Sequence, residues 1–416
     1  MKVAIVGGGP AGIAAAMRLA GRAEVTLFEA SEQLGGLARS FEKDGYRIPV
    51  FYHHILPFDK ITKQMVSDVG LEEKYARSIK MGLSFENKTY TISKVATLFW
   101  NFLSPQDKLR FGLLYLHAKV KKNWKDIEGM NADEWLGRVV GANVRDKIFA
   151  PLMWVKYGIP LNMISASELA ERLGAEEATG RLTYPEGGFH EMYKRLEASL
   201  RKTCAVEMNA PVTGINLEKS SLTYKREGRE VDQSFDAVIN TSPLPIFLRA
   251  TKGLPVEYKE RLAQIQYTRG VCLSVGMSEH LSDYYWLNVF DKHFSIVVEH
   301  TILADAYPFK MAWVSRYAPP DETWALSDED VGKLFADGVR EIFPNFKPEW
   351  IITNRAAYAS PLYDINYLKY MPSPDTPLKN LYFAGIAVTY PKLRSQNTAF
   401  ESGFETAELI IKQRGL

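Results

Sequence analysis

The sequence predicts an α/β fold in which an N-terminal βαβ layer is left, and later rejoined, by an inserted α+β portion. Three observations carry that expectation. Val3-Ala-Ile-Val6 is an apolar run without polar alternation, the pattern of a strand buried on both faces. It runs through Gly7-Gly-Gly9-Pro10-Ala11-Gly12 into an alanine-rich helix, Ala11 to Gly21, and then into a second strand, Glu24-Val-Thr-Leu-Phe-Glu29. Far downstream, Asp236–Pro243 and Asn380–Gly385 read as further short apolar strands returning to the same region.

The glycines of the first turn fit G-x-G-x-x-G, each for its own reason. Gly7 allows the tight turn, Gly9 lets backbone approach a pyrophosphate, and Gly12 lets helix and sheet pack closely. The free N–H groups of the helix then face the phosphates. Glu29 lies 22 residues beyond Gly7, where a carboxylate accepts hydrogen bonds from both ribose hydroxyls and disfavours a 2′-phosphorylated cofactor. The glycine run alone also fits an ordinary loop. Its N-terminal position, the preceding strand and the spacing of the acid favour a dinucleotide site.

Composition narrows the rest. At 416 residues the chain has room for two to three domains. A net charge of +2 offers no electrostatic footprint for nucleic acid. The two cysteines, Cys204 and Cys272, are too few and too far apart for a disulfide scaffold or a cysteine metal site, no other metal ligation is indicated, and they suit a reducing, cytoplasmic setting. No signal peptide is expected, because the first apolar run breaks at the glycines. No apolar run approaches the roughly 20 residues of a membrane-spanning helix.

After Ala30 comes Ser-Glu-Gln-Leu-Gly35-Gly36-Leu37-Ala38-Arg39-Ser40. The glycine doublet is either a second backbone approach to the pyrophosphate or a plain loop. The fingerprint, the acid and the GGLARS block together resemble the flavoprotein superfamily of amine oxidases, protoporphyrinogen oxidases, phytoene desaturases and UDP-galactopyranose mutase. The resemblance implies a Rossmann-like FAD-binding domain of the GR2 type with an inserted α+β substrate domain. It places Gly7, Gly9, Pro10, Ala11, Gly12, Glu29, Ala30, Gly35, Gly36, Leu37 and Ala38 on the cofactor. The superfamily's Gly-Gly-Arg is Gly-Gly-Leu37 here. Asp44-Gly45 marks a hairpin turn before Phe51-Tyr52-His53-His54, a loop the resemblance puts beside the flavin ring. His53 and His54 either polarise a substrate or stabilise charge on the flavin, or are a hydrogen-bonded loop pair.

Residues 55 to about 178 read as largely helical, with helical spacing over Leu71–Ile79, Ala132–Val140 and Ala166–Leu173. Pro105–Trp124 interleaves Lys108, Arg110, Lys119, Lys121 and Lys122 with seven apolar residues. Such a helix either packs on its own domain or lies on a membrane surface, so peripheral membrane contact is a candidate. Pro151–Gly158 resembles a protoporphyrinogen-oxidase turn and nominates Lys156 and Tyr157, with His53 and His54, as catalytic candidates; the plainer reading of Lys156 is a buried stem with a solvated head. Tyr184–Phe189 opens a helix from His190 to Arg201, and Val212 is the valine that the resemblance sets against adenine. A polar hairpin centres on Glu227-Gly228-Arg229. Val271–Met277, Tyr284–Phe290, Phe294–Glu299, Met311–Tyr317 and Trp350–Ala359 read as antiparallel strands that floor a substrate cavity in the superfamily.

The chain closes with Asn380–Gly385, a loop, and Asn397-Thr398-Ala399 opening a helix to Lys412. By resemblance Gly385, Asn397, Thr398 and Ala399 meet the cofactor, and the helix N-terminus favours negative charge on the reduced ring. The acid that usually follows the glycine is Ile386. The expected division is an FAD-binding domain from 1–60, 181–243 and 356–416, a mainly helical insertion at 61–180, and an antiparallel-sheet substrate domain at 244–355.

The resulting expectation is an oxidoreductase with noncovalent FAD that oxidises or desaturates a bulky, lipophilic small molecule through flavin N5. Dioxygen, a quinone or another protein would reoxidise it. The alternative is a non-redox enzyme of the UDP-galactopyranose mutase type, with Arg394 as the phosphate-binding residue. A third reading is a flavin-binding docking module. Substrate-driven bleaching of the flavin separates the first from the others.

Overall fold

The computed structural model describes residues 1–416 except 87, 94, 122, 175–180 and 319–320, and the side chains of 75–78 and 318 are likewise outside the description. Among the described residues, a parallel five-stranded sheet has the order Leu381–Phe383, Ala237–Asn240, Lys2–Val6, Glu24–Phe28, Ala205–Glu207. Val3 pairs with Ala237 on one side and Val25 on the other. Val3, Ile5, Leu27, Ala237 and Ile239 are fully buried, as runs without alternation require. The helix Pro10–Leu19 covers this sheet and packs on the long C-terminal helix Gln396–Arg414. A β-carbon on Gly403 would stand 2.1 Å from the Ala11 carbonyl oxygen, so the two helices touch backbone to backbone there.

A seven-stranded sheet has the order Pro348–Pro361, Tyr267–Met277, Lys310–Ala318, Ile296–Glu299, Trp286–Val289, Met81–Phe85, Lys88–Ile92. All five sequence-predicted antiparallel strands lie in it. The helix Asp328–Ile342, additional to the elements named above, buries Val331, Phe335 and Val339 in the same cluster as Val271, Leu273 and Val275. The hairpin Ser40–Lys43/Tyr46–Pro49 turns at Asp44-Gly45 as expected, and buried Trp313 donates to its Pro49 carbonyl at 3.2 Å. The polar hairpin Ser221–Arg226/Arg229–Ser234 also forms as read.

The helical reading of Leu71–Ile79 is corrected. Glu73–Ser78 is a strand, antiparallel to Arg181–Pro185, its backbone satisfied by a partner about 110 residues away that no local spacing reveals. The next stretch, 81–92, forms a β-hairpin whose first strand runs parallel to Trp286–Val289. Helices follow at Pro105–Val120, Ala132–Val139, Ala150–Tyr157 and Ala166–Gly174. Of the residues read as basic in this stretch, Lys122 lies outside the described residues, as do 175–178 at its end.

Candidate active site

The parallel sheet reverses its chain order beside its first strand. Lys2–Val6 is followed by Glu24–Phe28 on one flank and flanked by Ala237–Asn240 on the other. Ligands of open α/β sheets bind at the carboxyl ends of strands at such a switch point. Three strand ends meet there: Gly7 after the first strand, Thr241 after Ala237–Asn240, and Gly385 after Leu381–Phe383. They open into a cavity of about 1470 Å³. This exceeds the roughly 300–1,000 Å³ of an ordinary small-molecule site and leaves room for a dinucleotide and a second molecule.

Geometry separates the fingerprint glycines. Gly7 has φ +110°, and a β-carbon would meet Thr241 Oγ1 at 2.7 Å. At Gly12 it would stand 1.9 Å from the Gly7 carbonyl oxygen. At Gly9 it would meet no atom within 4 Å, because Gly9 faces the cavity. The helix starts with Pro10 at its first position and no side-chain cap, so its first N–H groups are open to a ligand. The second glycine segment is joined to the first by a bond from Gly35 N to the Gly8 carbonyl, 2.9 Å. Glu29 accepts from Gly8 N at 2.7 Å and from Ser31 N and Oγ at 2.8 Å. Each carboxylate oxygen has two lone pairs, so capacity remains for a ligand hydroxyl.

Most of the sequence-nominated residues border this cavity: Gly7, Gly9, Pro10, Ala11, Glu29, Ala30, Gly35, Gly36, Leu37, Ala38, Val212, Gly385, Ala399, His53, His54, Lys156 and Arg394. Gly12, Tyr157, Asn397 and Thr398 lie elsewhere. Gly12 is packed beneath the turn. The Asn397 side-chain carbonyl accepts from Ile61 N (2.8 Å) and Thr62 N (3.2 Å), capping the helix Lys60–Asp68. Thr398 forms a capping box with Ser395 at the start of the C-terminal helix. Tyr157 is buried, donates to Glu168, and burial pushes its pKa up. Arg394 donates to Ser360 Oγ (3.0 Å) and the Pro361 carbonyl (2.7 Å), stands 3.6 Å from Glu168, and lies over the rings of Tyr157 and Tyr363. The turn carrying Ile386 is held by tyrosines: Tyr363 donates to the Ile386 carbonyl, and Tyr367 to that of Ala387 at 2.9 Å.

Beyond the glycine turns the walls are aromatic and aliphatic. Tyr52, Tyr285, Trp286 and Tyr317 come from the loop after the hairpin and from the large sheet; Phe149, Leu152 and Leu169 come from the helices. Sequence reasoning named none of these as site residues; an aromatic in a strand reads as core until its neighbours are known. His54 Nδ1 shares a hydrogen bond with the Tyr285 hydroxyl, 3.0 Å, and Lys156 Nζ lies 5.8 Å from the Trp286 ring centre. His53 Nδ1 bonds the Phe51 carbonyl at 3.0 Å. Burial lowers its pKa to about 4, against a smaller opposing effect of that bond.

A pH dependence follows. Between about 4 and the ordinary histidine value near 6.5 the unfolded chain binds a proton at His53 that the folded chain refuses. This contribution to stability is therefore complete above that window and is lost as pH falls through it. Urea unfolding across the window is expected to show stability declining with acid, and His53→Gln to flatten part of the slope. Buried His300, lowered to about 3, contributes with the same sign and keeps the remainder. An unchanged slope in the variant would count against a His53 that stays neutral in the folded chain.

A cavity ringed by glycine turns at a sheet switch point and continuous with an apolar chamber has the form of the site of a cofactor-dependent enzyme. Comparison with known proteins makes this specific. Residues 10–411 match the family described as flavin containing amine oxidoreductase, and the chain belongs to that family. It is a flavin-dependent oxidoreductase with FAD as its cofactor. It is 23% identical to coproporphyrinogen III oxidase of Staphylococcus aureus (strain NCTC 8325 / PS 47), over 96% of this chain and 95% of the relative. Its fold is similar to that of reduced UDP-galactopyranose mutase (TM-score 0.78, 16% identity, 99% and 96% of the chains covered). It is likewise similar to putrescine oxidase bound to putrescine (TM-score 0.75, 17% identity, 99% of each chain covered). Among the described residues no helix is long and apolar enough to cross a membrane, and no group of three or more histidine, cysteine or acidic side chains is placed to hold a metal ion.

Proposed function

We propose that this flavoenzyme oxidises or desaturates a bulky, lipophilic small molecule held in the apolar chamber beyond the nucleotide site. The observation that carries the reading is the continuity of one large cavity, from the glycine turns past Tyr52 and Trp286 to the helix Pro105–Val120. In this reading the residues present fit FAD. The open N-terminus at Pro10 and the Gly35-Gly36 segment hold the pyrophosphate, Glu29 the adenosine ribose, and Val212 the adenine. Bound FAD supplies a two-electron acceptor for oxidation of a C–C or C–N bond. Ser395, Gln396 and Ala399 bring the positive end of the C-terminal helix to the cavity, where it favours negative charge. Both cysteines are buried and neither borders the cavity, which supports noncovalent attachment. The segments 1–60, 181–243 and 356–416 form the FAD-binding unit in this proposal, and a cytoplasmic location accompanies it.

The mutase alternative needs Arg394 for a phosphate. Its guanidinium is already engaged by Ser360, Pro361 and Glu168, which favours the oxidoreductase. Anaerobic addition of coproporphyrinogen, an isoprenoid polyene and putrescine, each followed by the visible flavin bands, tests the reading. Bleaching by a bulky lipophilic compound and not by putrescine is expected. Bleaching by putrescine alone overturns the substrate class. Isomerisation of a sugar nucleotide by the pre-reduced protein, with no bleaching by any compound, overturns the reaction type.

A further inference from the structure

The helix Pro105–Val120 has an inward face and, opposite it, an exposed apolar stripe. Asp107, Leu114 and Ala118 are turned into the protein. At about 100° per residue, Leu109, Leu113, Leu116 and Val120 form a stripe on the other side. The neighbouring turn Ala96–Phe99 is tied to the helix by Lys108 Nζ, which donates to the Leu98 carbonyl at 2.7 Å. Val95, Leu98, Phe99 and the four stripe residues are all between 55% and 80% exposed. An apolar surface of this kind on a folded chain marks an interaction site. Leu98, Leu109 and Leu113 also border the cavity, so the patch forms part of its rim.

The charge along the segment that carries the patch is mostly of one sign, although Lys121 pairs with Asp126 at its end, 2.7 Å away. Residues 93–125 contain seven lysines and arginines and a single acid, Asp107, within a chain whose net charge is only +2. The Asp107 carboxylate is engaged by Ser104 Oγ (2.7 Å) and Asn143 Nδ2 (2.6 Å). By helical position, Lys108 and Lys119 flank the stripe on one side and Arg110 on the other. An exposed apolar stripe between cationic flanks matches a bilayer with anionic headgroups. A second copy of the same face would bring like charges together.

We propose that Pro105–Val120 and the Val95–Phe99 turn form an interfacial element that seats the cavity rim on an anionic lipid bilayer. A lipophilic substrate then reaches the chamber from the bilayer rather than through water. The surface claim stands apart from the substrate proposed above, because lipid binding is measured without turnover.

The test is flotation of the FAD-loaded protein with vesicles of phosphatidylcholine alone and of phosphatidylcholine mixed with phosphatidylglycerol. Binding to the mixed vesicles, weaker binding to phosphatidylcholine, and loss of binding with added salt are expected. The double substitution Phe99→Ser and Val120→Ser, at two exposed positions outside the cavity wall, is expected to weaken partition about tenfold or more while leaving the unfolding midpoint and flavin content in place. Failure of the wild type to float with the mixed vesicles overturns the proposal, as does equal flotation of the double variant. A wild-type dimer that the double variant disperses, without vesicle binding, assigns the patch to a second copy instead. The salt dependence of the wild type tests the charge component without any substitution.

Discussion

Gly9→Val is expected to give a folded protein that has lost its FAD, whereas Gly12→Val loses the fold and the cofactor together. Both glycines belong to one motif, but what a side chain would meet differs. Gly12 has the Gly7 carbonyl oxygen 1.9 Å from where its β-carbon would stand. No rotamer relieves a clash of β-carbon with backbone, so strand and helix must separate at the turn. Overpacking of this kind costs about 3 kcal/mol or more. Gly9 has extended backbone, φ −74° and ψ −179°, which any residue adopts, and no protein atom within 4 Å of an added β-carbon. Its loss to the apoprotein is the poorer helix cap of valine relative to glycine, about 1 kcal/mol. The space that valine fills is cavity, so the penalty falls on the ligand: FAD affinity is expected to drop about 100-fold, or about 2.8 kcal/mol. Thermal unfolding of the apoproteins and fluorescence titration with FAD check the pair. Equal FAD affinity of Gly9→Val and wild type would remove Gly9 from the cofactor surface.

That contrast also shows what a sequence can disclose. The first turn was legible because its constraints are local: a tight turn, a close helix approach and an acid at fixed distance each demand a residue type at one position. The strands of the large sheet were legible for a similar reason, since Val271–Met277 and its partners are rich in residues that fit a pleated surface. Features that depend on distant parts of the chain were not. Glu73–Ser78 becomes a strand only because Arg181–Pro185 arrives beside it. The motif at Asn397 was visible, but its side chain is taken up by the start of the helix Lys60–Asp68, more than 330 residues earlier. Tyr52, Tyr285 and Trp286 form chamber walls because the hairpin loop and the large sheet converge. Nothing in the neighbourhoods of Tyr285 and Trp286 distinguishes them from core aromatics, whereas Tyr52 stands in the loop next to His53 and His54. Ile386, a departure from the usual acid, belongs to a turn held by Tyr363 and Tyr367, a pairing across some 20 residues that no local pattern discloses.

Arg394 is where the two function classes make opposite demands, and Glu168 decides which is met. The Glu168 carboxylate is 2% exposed, accepts the Tyr157 hydroxyl, and lies 3.4 Å from Arg172 and 3.6 Å from Arg394. Glu168→Ala leaves two guanidinium groups in a poorly solvated place without their anion. Removing one partner of a buried ion pair costs about 3–5 kcal/mol, so a large fall in the unfolding midpoint is expected. Glu168→Gln keeps the volume and an acceptor for Tyr157 but not the charge, and a smaller fall is expected. Arg394→Met removes the bonds to Ser360 and Pro361 and is expected to destabilise as well, because this guanidinium joins the end of the strand Pro348–Pro361 to the loop before the C-terminal helix. A phosphate-binding arginine would behave differently. Its removal would leave the midpoint in place and raise KM for a phosphorylated substrate. Thermal unfolding of the three variants, with the flavin content of each, is therefore a test of function as well as of stability. If Arg394→Met unfolds at the wild-type temperature and Glu168→Ala is equally stable, the cluster is not structural, and the mutase reading recovers its phosphate residue.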